Sequence, residues 1–413
     1  MATPPRLPVR IFNGLQRLRE QLGAQIPRFV EAEETLLQAA CRATGCDDFG
    51  DDFFLQGLRR LLRAYDEEAR LSPFGRMMVR QELAGILKSR LSVQRAWNQN
   101  PAILKAQVGR PIFILGLPRT GTTVLHHLLA QDPANQVLEY WLAAAPGPRP
   151  PESEWKRDPR YKEASRGLSV MYFLDPSLKA IHLMTADGPD ECRHLLQENF
   201  TDDTFDSNAT IPGYTSWYRS QDMRGSYARH RDVLKLIQSG QPERRWVLKY
   251  PAHMAHLHVL LETYPDACIV QTHRDPTRVL PSLCSLVTGW RSIYEDEVDI
   301  RAVARWQVEM WAERMEHAMA VRRAGNPDQF FDFAFEELLG DPIGAIEKLY
   351  DHFGFEFSAQ AEARMRDWIH ANPQGKHGGH DYSAEQFGLS EGEMVARFAA
   401  YSEHFQVARE SRA

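Results

Sequence analysis

The chain has 413 residues, 43% hydrophobic and 25% charged, with a formal net charge of −6. That length fits one large α/β domain with additions, and the acidic balance gives no support for general nucleic-acid binding. No stretch approaches about 18 consecutive apolar residues, so no membrane span is expected.

The first ten residues carry three prolines and are expected to lie loosely on the surface. They lack the apolar core and cleavage site of a signal peptide. Cysteines at 41, 46, 192, 268 and 284 form no CxxC and cannot all pair, so a reduced cytoplasm is the expected setting. Residues 11–109 are helical in pattern. Ile11, Leu15, Leu18 and Leu22 share a face, as do Leu58, Leu61, Leu62 and Tyr65. Ser72-Pro73 is a helix start, with serine as cap and proline at the first helical position, and Met78, Leu83, Ile86 and Leu87 continue that helix. No residue set here suggests chemistry. Residues 1–109 read as a helical region that packs on the core, and on a partner or substrate.

Residues 111–123, PIFILGLPRTGTT, organise the rest. An apolar strand over 111–115 enters a turn bracketed by Gly116 and Gly121. A helix follows, with Val124, Leu125, Leu128 and Leu129 on one face. Strand, glycine turn and helix start make an anion cradle from backbone N–H groups. The spacing matches GxxxxGK[ST] at every place but one: Thr122 stands where lysine belongs, and Arg119 is the cation inside the loop. The proline-rich stretch that follows Asp132-Pro133 reads as an irregular, extended run. Residues 155–218 then carry many aromatic rings (Trp155, Tyr161, Tyr172, Phe173, Phe200, Tyr214, Trp217, Tyr218) without a clean period. Each ring alone is better read as core than as pocket lining.

Periodicity returns with a buried strand, Arg245–Lys249, and a helix over 254–261. A second strand over 268–272 leads to a helix with Asp275 as cap and Pro276 at its first position. A long helix over 301–324 precedes a third strand in FFDFAFEELLGDP. Alternating strands and helices imply a parallel sheet with ligands at the strands' carboxyl ends. The fold class is therefore α/β, a P-loop-type parallel sheet flanked by helices. The expected domains are 1–109 and 110–413, with C-terminal helices and a closing loop over 360–413.

Thr122 cannot supply the lysine charge of an ATP-hydrolysing loop, and no later strand ends in an obvious magnesium-binding aspartate. The second strand ends instead in His273-Arg274, and Ser282 lies two turns into the next helix. A cradle for one anion and an arginine–serine pair for another imply a nucleotide with two separate anionic groups.

These residues resemble the sulfotransferases that use 3′-phosphoadenosine 5′-phosphosulfate (PAPS). In that family a P-[KR]-[ST]-G-T-T loop holds the 5′-phosphosulfate, matched by PRTGTT: Pro118, Arg119, Thr120, Gly121, Thr122 and Thr123. An arginine followed eight residues later by serine holds the 3′-phosphate, matched by Arg274 and Ser282. The family's LK strand is matched by Leu248-Lys249, and the resemblance runs from about residue 110 to the end. It implies in-line sulfuryl transfer to a hydroxyl, or less readily an amine, of a hydrophobic small molecule. PAPS is then the co-substrate, adenosine 3′,5′-bisphosphate the product, and no metal is called for. Arg119 would neutralise the leaving oxygen and Lys249 would contact the sulfuryl group. The proton acceptor stays open between Glu139, near the glutamate of tyrosylprotein-type enzymes, and His253, four residues after Lys249. Better-known cytosolic members place their histidine two residues after the lysine, where Pro251 stands here. Lys376, in the glycine-rich late loop, is expected to close over the nucleotide. His253, His256 and His258 lack the glutamate of HExxH and are not read as a metal site. Asp187, Asp190 and Glu191 read as a capped turn as readily as an acceptor contact. The competing readings are a P-loop kinase and a non-catalytic nucleotide-binding protein. A homodimer is left open.

Overall fold

The computed structural model describes residues 7–174, 184–241, 243–373 and 383–410. Its centre is a five-stranded sheet: β1, Ile112–Gly116; β2, Asn135–Val137; β3, Arg245–Lys249; β4, Cys268–His273; and β5, Phe330–Ala334. The order is β2-β3-β1-β4-β5 and every pairing is parallel. β1 and β4 are buried along their whole length, so β1 reads as an unbroken apolar run, while β4 ends in three buried polar residues, Gln271, Thr272 and His273. Their side chains still alternate in space: Phe113 and Leu115 enter one apolar interior, Ile112 and Ile114 the other.

Four helices make up the N-terminal region: α1, Leu7–Gln21; α2, Glu33–Thr44; α3, Phe53–Glu67; and α4, Pro73–Gln99. Leu58, Leu61, Leu83 and Leu87 are buried in the same interior as Phe113. Ser72 caps α4 as expected, its Oγ accepting from the Gly75 N–H at 2.9 Å. The direction of α1 differs from expectation. Ile11, Leu15, Leu18 and Leu22 are exposed, whereas Val9 and Asn13 are buried. The Asn13 Oδ1 accepts from the Phe74 N–H at 2.8 Å, and Phe12 meets Phe74 edge-on at 6.3 Å. Docking through a polar cap contact leaves the leucine face pointing outward.

Beyond α5, Thr122–Leu129, comes β2, and the proline-rich stretch expected to be irregular opens on a short helix, α6, Tyr140–Ala144. The polar residues of β2 are buried and satisfied. The Asn135 Nδ2 donates to the Leu129 carbonyl at 2.9 Å and the Gln136 Nε2 to the Arg244 carbonyl at 2.8 Å. The helix expected over 254–261 is divided into a 3₁₀ turn, Pro251–His256, and a helix, Leu257–Thr263. Asp275 caps the helix Pro276–Tyr294, its Oδ1 accepting from the Thr277 N–H at 2.9 Å.

Candidate active site

The cradle begins where β1 ends. Gly116 has φ +132°, and a Cβ there would lie 2.5 Å from the Thr272 Oγ1 and 2.6 Å from its carbonyl oxygen. Only glycine lets the chain leave β1 so close to β4. Gly121, at φ +89°, closes the turn directly before α5. Arg119 also has a positive φ, 73°, a conformation that costs a non-glycine residue about 1–2 kcal/mol. Its side chain is exposed, as is Thr123, and Pro118 is half-buried. Thr120 turns inward: its Oγ1 donates to the Leu117 carbonyl at 2.6 Å and lies 2.6 Å from the Thr272 hydroxyl. Thr120 therefore braces the loop. Thr122 is buried at the first position of α5, where N–H groups have no intrahelical partner and favour an anion.

Arg274, just past β4, and Ser282, within the helix Pro276–Tyr294, lie against this loop. The Arg119 Nε donates to the Ser282 Oγ at 3.2 Å, and the Arg274 Nη1 donates to the Arg119 carbonyl at 3.3 Å. The two expected anion sites share a wall. The Arg274 guanidinium lies 3.9 Å from the centre of the Phe335 ring. It also holds the Glu410 carboxylate in a fork, Nε to Oε1 at 2.7 Å and Nη2 to Oε2 at 3.0 Å. An oxyanion from the chain's own C-terminal stretch thus already uses this guanidinium in the bidentate manner that suits a phosphate.

Lys249 closes β3, with Ile114 of β1 as its register partner. Its side chain is 4% exposed, and its Nζ lies 2.5 Å from the Oε1 of Glu191, itself 21% exposed. Glu191 is the carboxylate at this site that the sequence reading did not choose. It arrives on residues 186–192, where the expected turn before a helix is present, the Gly188 N–H donating to the Thr185 carbonyl at 3.2 Å ahead of the helix Arg193–Gln197, and the chain between them passes the strand ends. The Asp190 N–H donates to the Leu138 carbonyl at 2.7 Å, and the Cys192 N–H to the Lys249 carbonyl at 3.2 Å. The one signal in the sequence was an acidic cluster after a Gly-Pro pair.

The two residues expected to compete as proton acceptor are both buried, Glu139 bridging Pro189 on the segment that carries Glu191 and His253 in the turn just past β3. Glu139, preceding α6, is buried, and its Oε2 accepts from the Arg149 Nη2 at 2.8 Å. Burial pushes the Glu139 carboxyl up against the opposing pull of Arg149, and burial also lowers the Arg149 pKa. His253 is fully buried in the 3₁₀ turn, its Nδ1 2.7 Å from the Tyr227 hydroxyl and its ring edge-on to Phe113 at 5.4 Å. Burial, reinforced by His230 and His256, holds its pKa well below the ordinary histidine value. The metal-capable set around it is not the one considered in sequence. Cys192, His230 and His253 bring their sulfur and nitrogen atoms within 4.8 Å of one another. His256 instead meets the Tyr218 hydroxyl at 3.1 Å, and His258 meets His317 at 3.0 Å. Lys376 lies outside the described residues.

The model of the family described as "Sulfotransferase family" matches residues 111–359, more than half of the chain. The chain belongs to the sulfotransferase family. Sulfotransferase STF1 from Mycobacterium tuberculosis H37Rv is 35% identical and superposes with a TM-score of 0.82, covering 91% of this chain and 100% of that one. Sulfotransferase STF9 from Mycobacterium avium is 28% identical with a TM-score of 0.85, covering 92% and 98%. The omega-hydroxy-beta-dihydromenaquinone-9 sulfotransferase Stf3 of Mycobacterium bovis is 27% identical over 307 residues, 71% of this chain and 76% of that protein. At 91% and 92% coverage the superpositions take in part of the helical N-terminal region as well as the sheet. Among the described residues no helix is long and apolar enough to cross a membrane.

Proposed function

We propose that this sulfotransferase moves a sulfuryl group from PAPS to the hydroxyl, or less readily the amine, of a hydrophobic small molecule by in-line displacement, in the cytoplasm. The observation that carries the reading is the shared wall of two anion sites, Arg119 against Ser282 and Arg274 against the Arg119 carbonyl. A nucleotide with phosphate groups on both its 5′ and 3′ sides matches that arrangement. The donor set also fits: a glycine-closed cradle at a helix start, an exposed arginine inside it, and a guanidinium already forked onto a carboxylate. PAPS, when bound, supplies the activated sulfuryl group and an anionic leaving group.

The chain's residues then divide the work. The N–H groups at the start of α5, with Thr122 and Thr123, hold the phosphosulfate. Arg119 neutralises the leaving oxygen, and Arg274 with Ser282 fixes the 3′-phosphate. Lys249 approaches the sulfuryl oxygens from the adjacent strand. Glu191 is the proton acceptor the geometry favours over Glu139 and His253. It touches Lys249 and remains partly exposed, whereas the other two are buried among fixed partners. These charges take the part that magnesium takes in kinases, so no metal is invoked. Lys376, where the family resemblance expects a closing loop, would add a further cation over the nucleotide. The relative named for omega-hydroxy-beta-dihydromenaquinone-9 supports a lipid-like alcohol as acceptor.

Thermal melting with adenosine 3′,5′-bisphosphate against ATP–Mg²⁺ tests the reading. Bisphosphate at about 100 times its Kd should stabilise the fold by about 2.7 kcal/mol in the presence of a chelator. Stabilisation by ATP–Mg²⁺ alone would return the protein to the kinase class.

A further inference from the structure

Among the described residues the outward face of α1 has no partner. Leu7, Ile11, Leu15, Leu18 and Leu22 are each more than half exposed, Leu22 at 80%. At about 100° per residue they fall within an arc of about 80°. Elsewhere in the described chain exposed large apolar side chains come singly or in pairs such as Val170 and Phe173, so this five-residue stripe is a patch and not surface background. Arg10 and Arg17 border the stripe on one side and Arg19 on the other, while Glu20 lies on the opposite side of the helix. Arg17 also pairs with Asp296 at 2.5 Å. Beneath the chain that follows α1 is a cavity of about 550 Å³, lined by Ile26, Arg19, Arg76 and Arg80 among others. The guanidinium groups of Arg76 and Arg80 lie 4.4 and 4.6 Å from the centre of the Phe29 ring.

We infer that α1 lies on an anionic lipid surface, its leucine stripe in the acyl boundary and its flanking arginines among the head groups. Fifteen residues of helix extend about 22 Å, enough to rest flat along such a surface. The charge pattern is complementary to an anionic bilayer, and it is local in a chain whose net charge is −6. A second copy of the same face is the poorer occupant. Two stripes laid together would set arginine borders against arginine borders, and Asp296, the carboxylate that meets this border, is already held by Arg17.

The test is co-sedimentation of the full chain with vesicles of phosphatidylcholine containing a quarter phosphatidylglycerol, beside vesicles of phosphatidylcholine alone. Binding is expected on the anionic vesicles, weaker by about tenfold or more on the neutral ones and at high salt. Leu15→Glu with Leu18→Glu should abolish it while leaving the circular-dichroism melt unchanged, since both side chains are exposed. Arg10→Gln with Arg19→Gln should reduce binding to anionic vesicles by about tenfold or more. Wild-type protein that stays in the supernatant, or a leucine variant that sediments like wild type, overturns the inference. So does a dimer by light scattering that the leucine variant dissociates and vesicles do not recruit.

Discussion

Glu191→Gln removes one charge and one proton acceptor while keeping the volume of the side chain. Its partner, Lys249 Nζ at 2.5 Å, is nearly buried, but Glu191 is 21% exposed, so water can take up part of the lost contact. The expected loss of stability is about 1–3 kcal/mol, between that of an exposed pair and that of a buried one, and the chain stays folded. The kinetic effect should be larger. A positioned base contributes about 10²–10⁴-fold, so turnover with an aliphatic alcohol should fall by about 100-fold or more. With 4-nitrophenol, whose hydroxyl is already acidic, the same variant should lose less than about tenfold, because little proton transfer remains to be assisted. The assay is transfer of labelled sulfuryl group from PAPS to each acceptor at saturating donor. Equal losses with the two acceptors would mean that Glu191 only places Lys249. A loss below about threefold with the alcohol would remove it from the reaction altogether.

Arg274→Ala should weaken adenosine 3′,5′-bisphosphate by about 100-fold, yet leave adenosine 5′-phosphosulfate, which lacks the 3′-phosphate, within about threefold. Equal losses by calorimetry would refute the 3′ assignment. Glu410→Gln should tighten the bisphosphate by about three- to tenfold, since the carboxylate now forked onto Arg274 competes for that guanidinium. Glu139→Gln leaves Arg149 buried without its charge partner and should cost about 3–5 kcal/mol in urea unfolding, with turnover per folded molecule retained. A stable but inactive Glu139→Gln protein would restore Glu139 as the base. Burial holds His126 and His253 well below the ordinary histidine pKa and lowers His230 and His256 to about 3. Below about pH 6.5 the unfolded chain binds protons that the native one does not, so stability falls as pH falls, by up to about 1.4 kcal/mol per pH unit for each histidine. Urea midpoints that stay level between pH 7 and pH 5 would contradict this.

The parts of the fold legible in sequence are those whose cause is local. β1, β3 and β4 are short apolar runs closed by glycine, proline or a capping aspartate, and the pair Arg274–Ser282 is set by one strand end and one helix. Glu191 was not legible because its position depends on backbone bonds to Leu138 and Lys249, which no periodicity records. Nearness in sequence carried no account of burial at His253: four residues after Lys249, a 3₁₀ turn carries it into an aromatic interior beside Phe113 and Tyr227. Glu139 is fixed by Arg149, ten residues away across a proline-rich bend that had no readable pattern. For α1 the pattern stated which residues share a face but carried no sign for its direction, which the Asn13 contact to the Phe74 N–H decided.

The lysine absent at Thr122 has a structural counterpart. Position 122 is buried at the first turn of α5, so the loop keeps its backbone donors, and in the proposed reaction a second cation comes from the end of the neighbouring strand at Lys249. The transfer of that charge changes what it can be coupled to. A loop lysine answers only to phosphate, whereas Lys249 is held by a carboxylate with access to solvent. In the proposed reaction, Glu191 loses its grip on the ammonium as it takes the acceptor's proton. The same proton transfer that makes the nucleophile therefore frees Lys249 for the oxygens of the sulfuryl group. In that proposal the coupling is the reason for a second cation at Lys249 in addition to Arg119 inside the cradle. It also requires Lys249→Ala and Glu191→Gln to be non-additive in turnover: the double variant should lose little more than the worse single one. Two losses that multiply in full would show the lysine and the carboxylate acting apart.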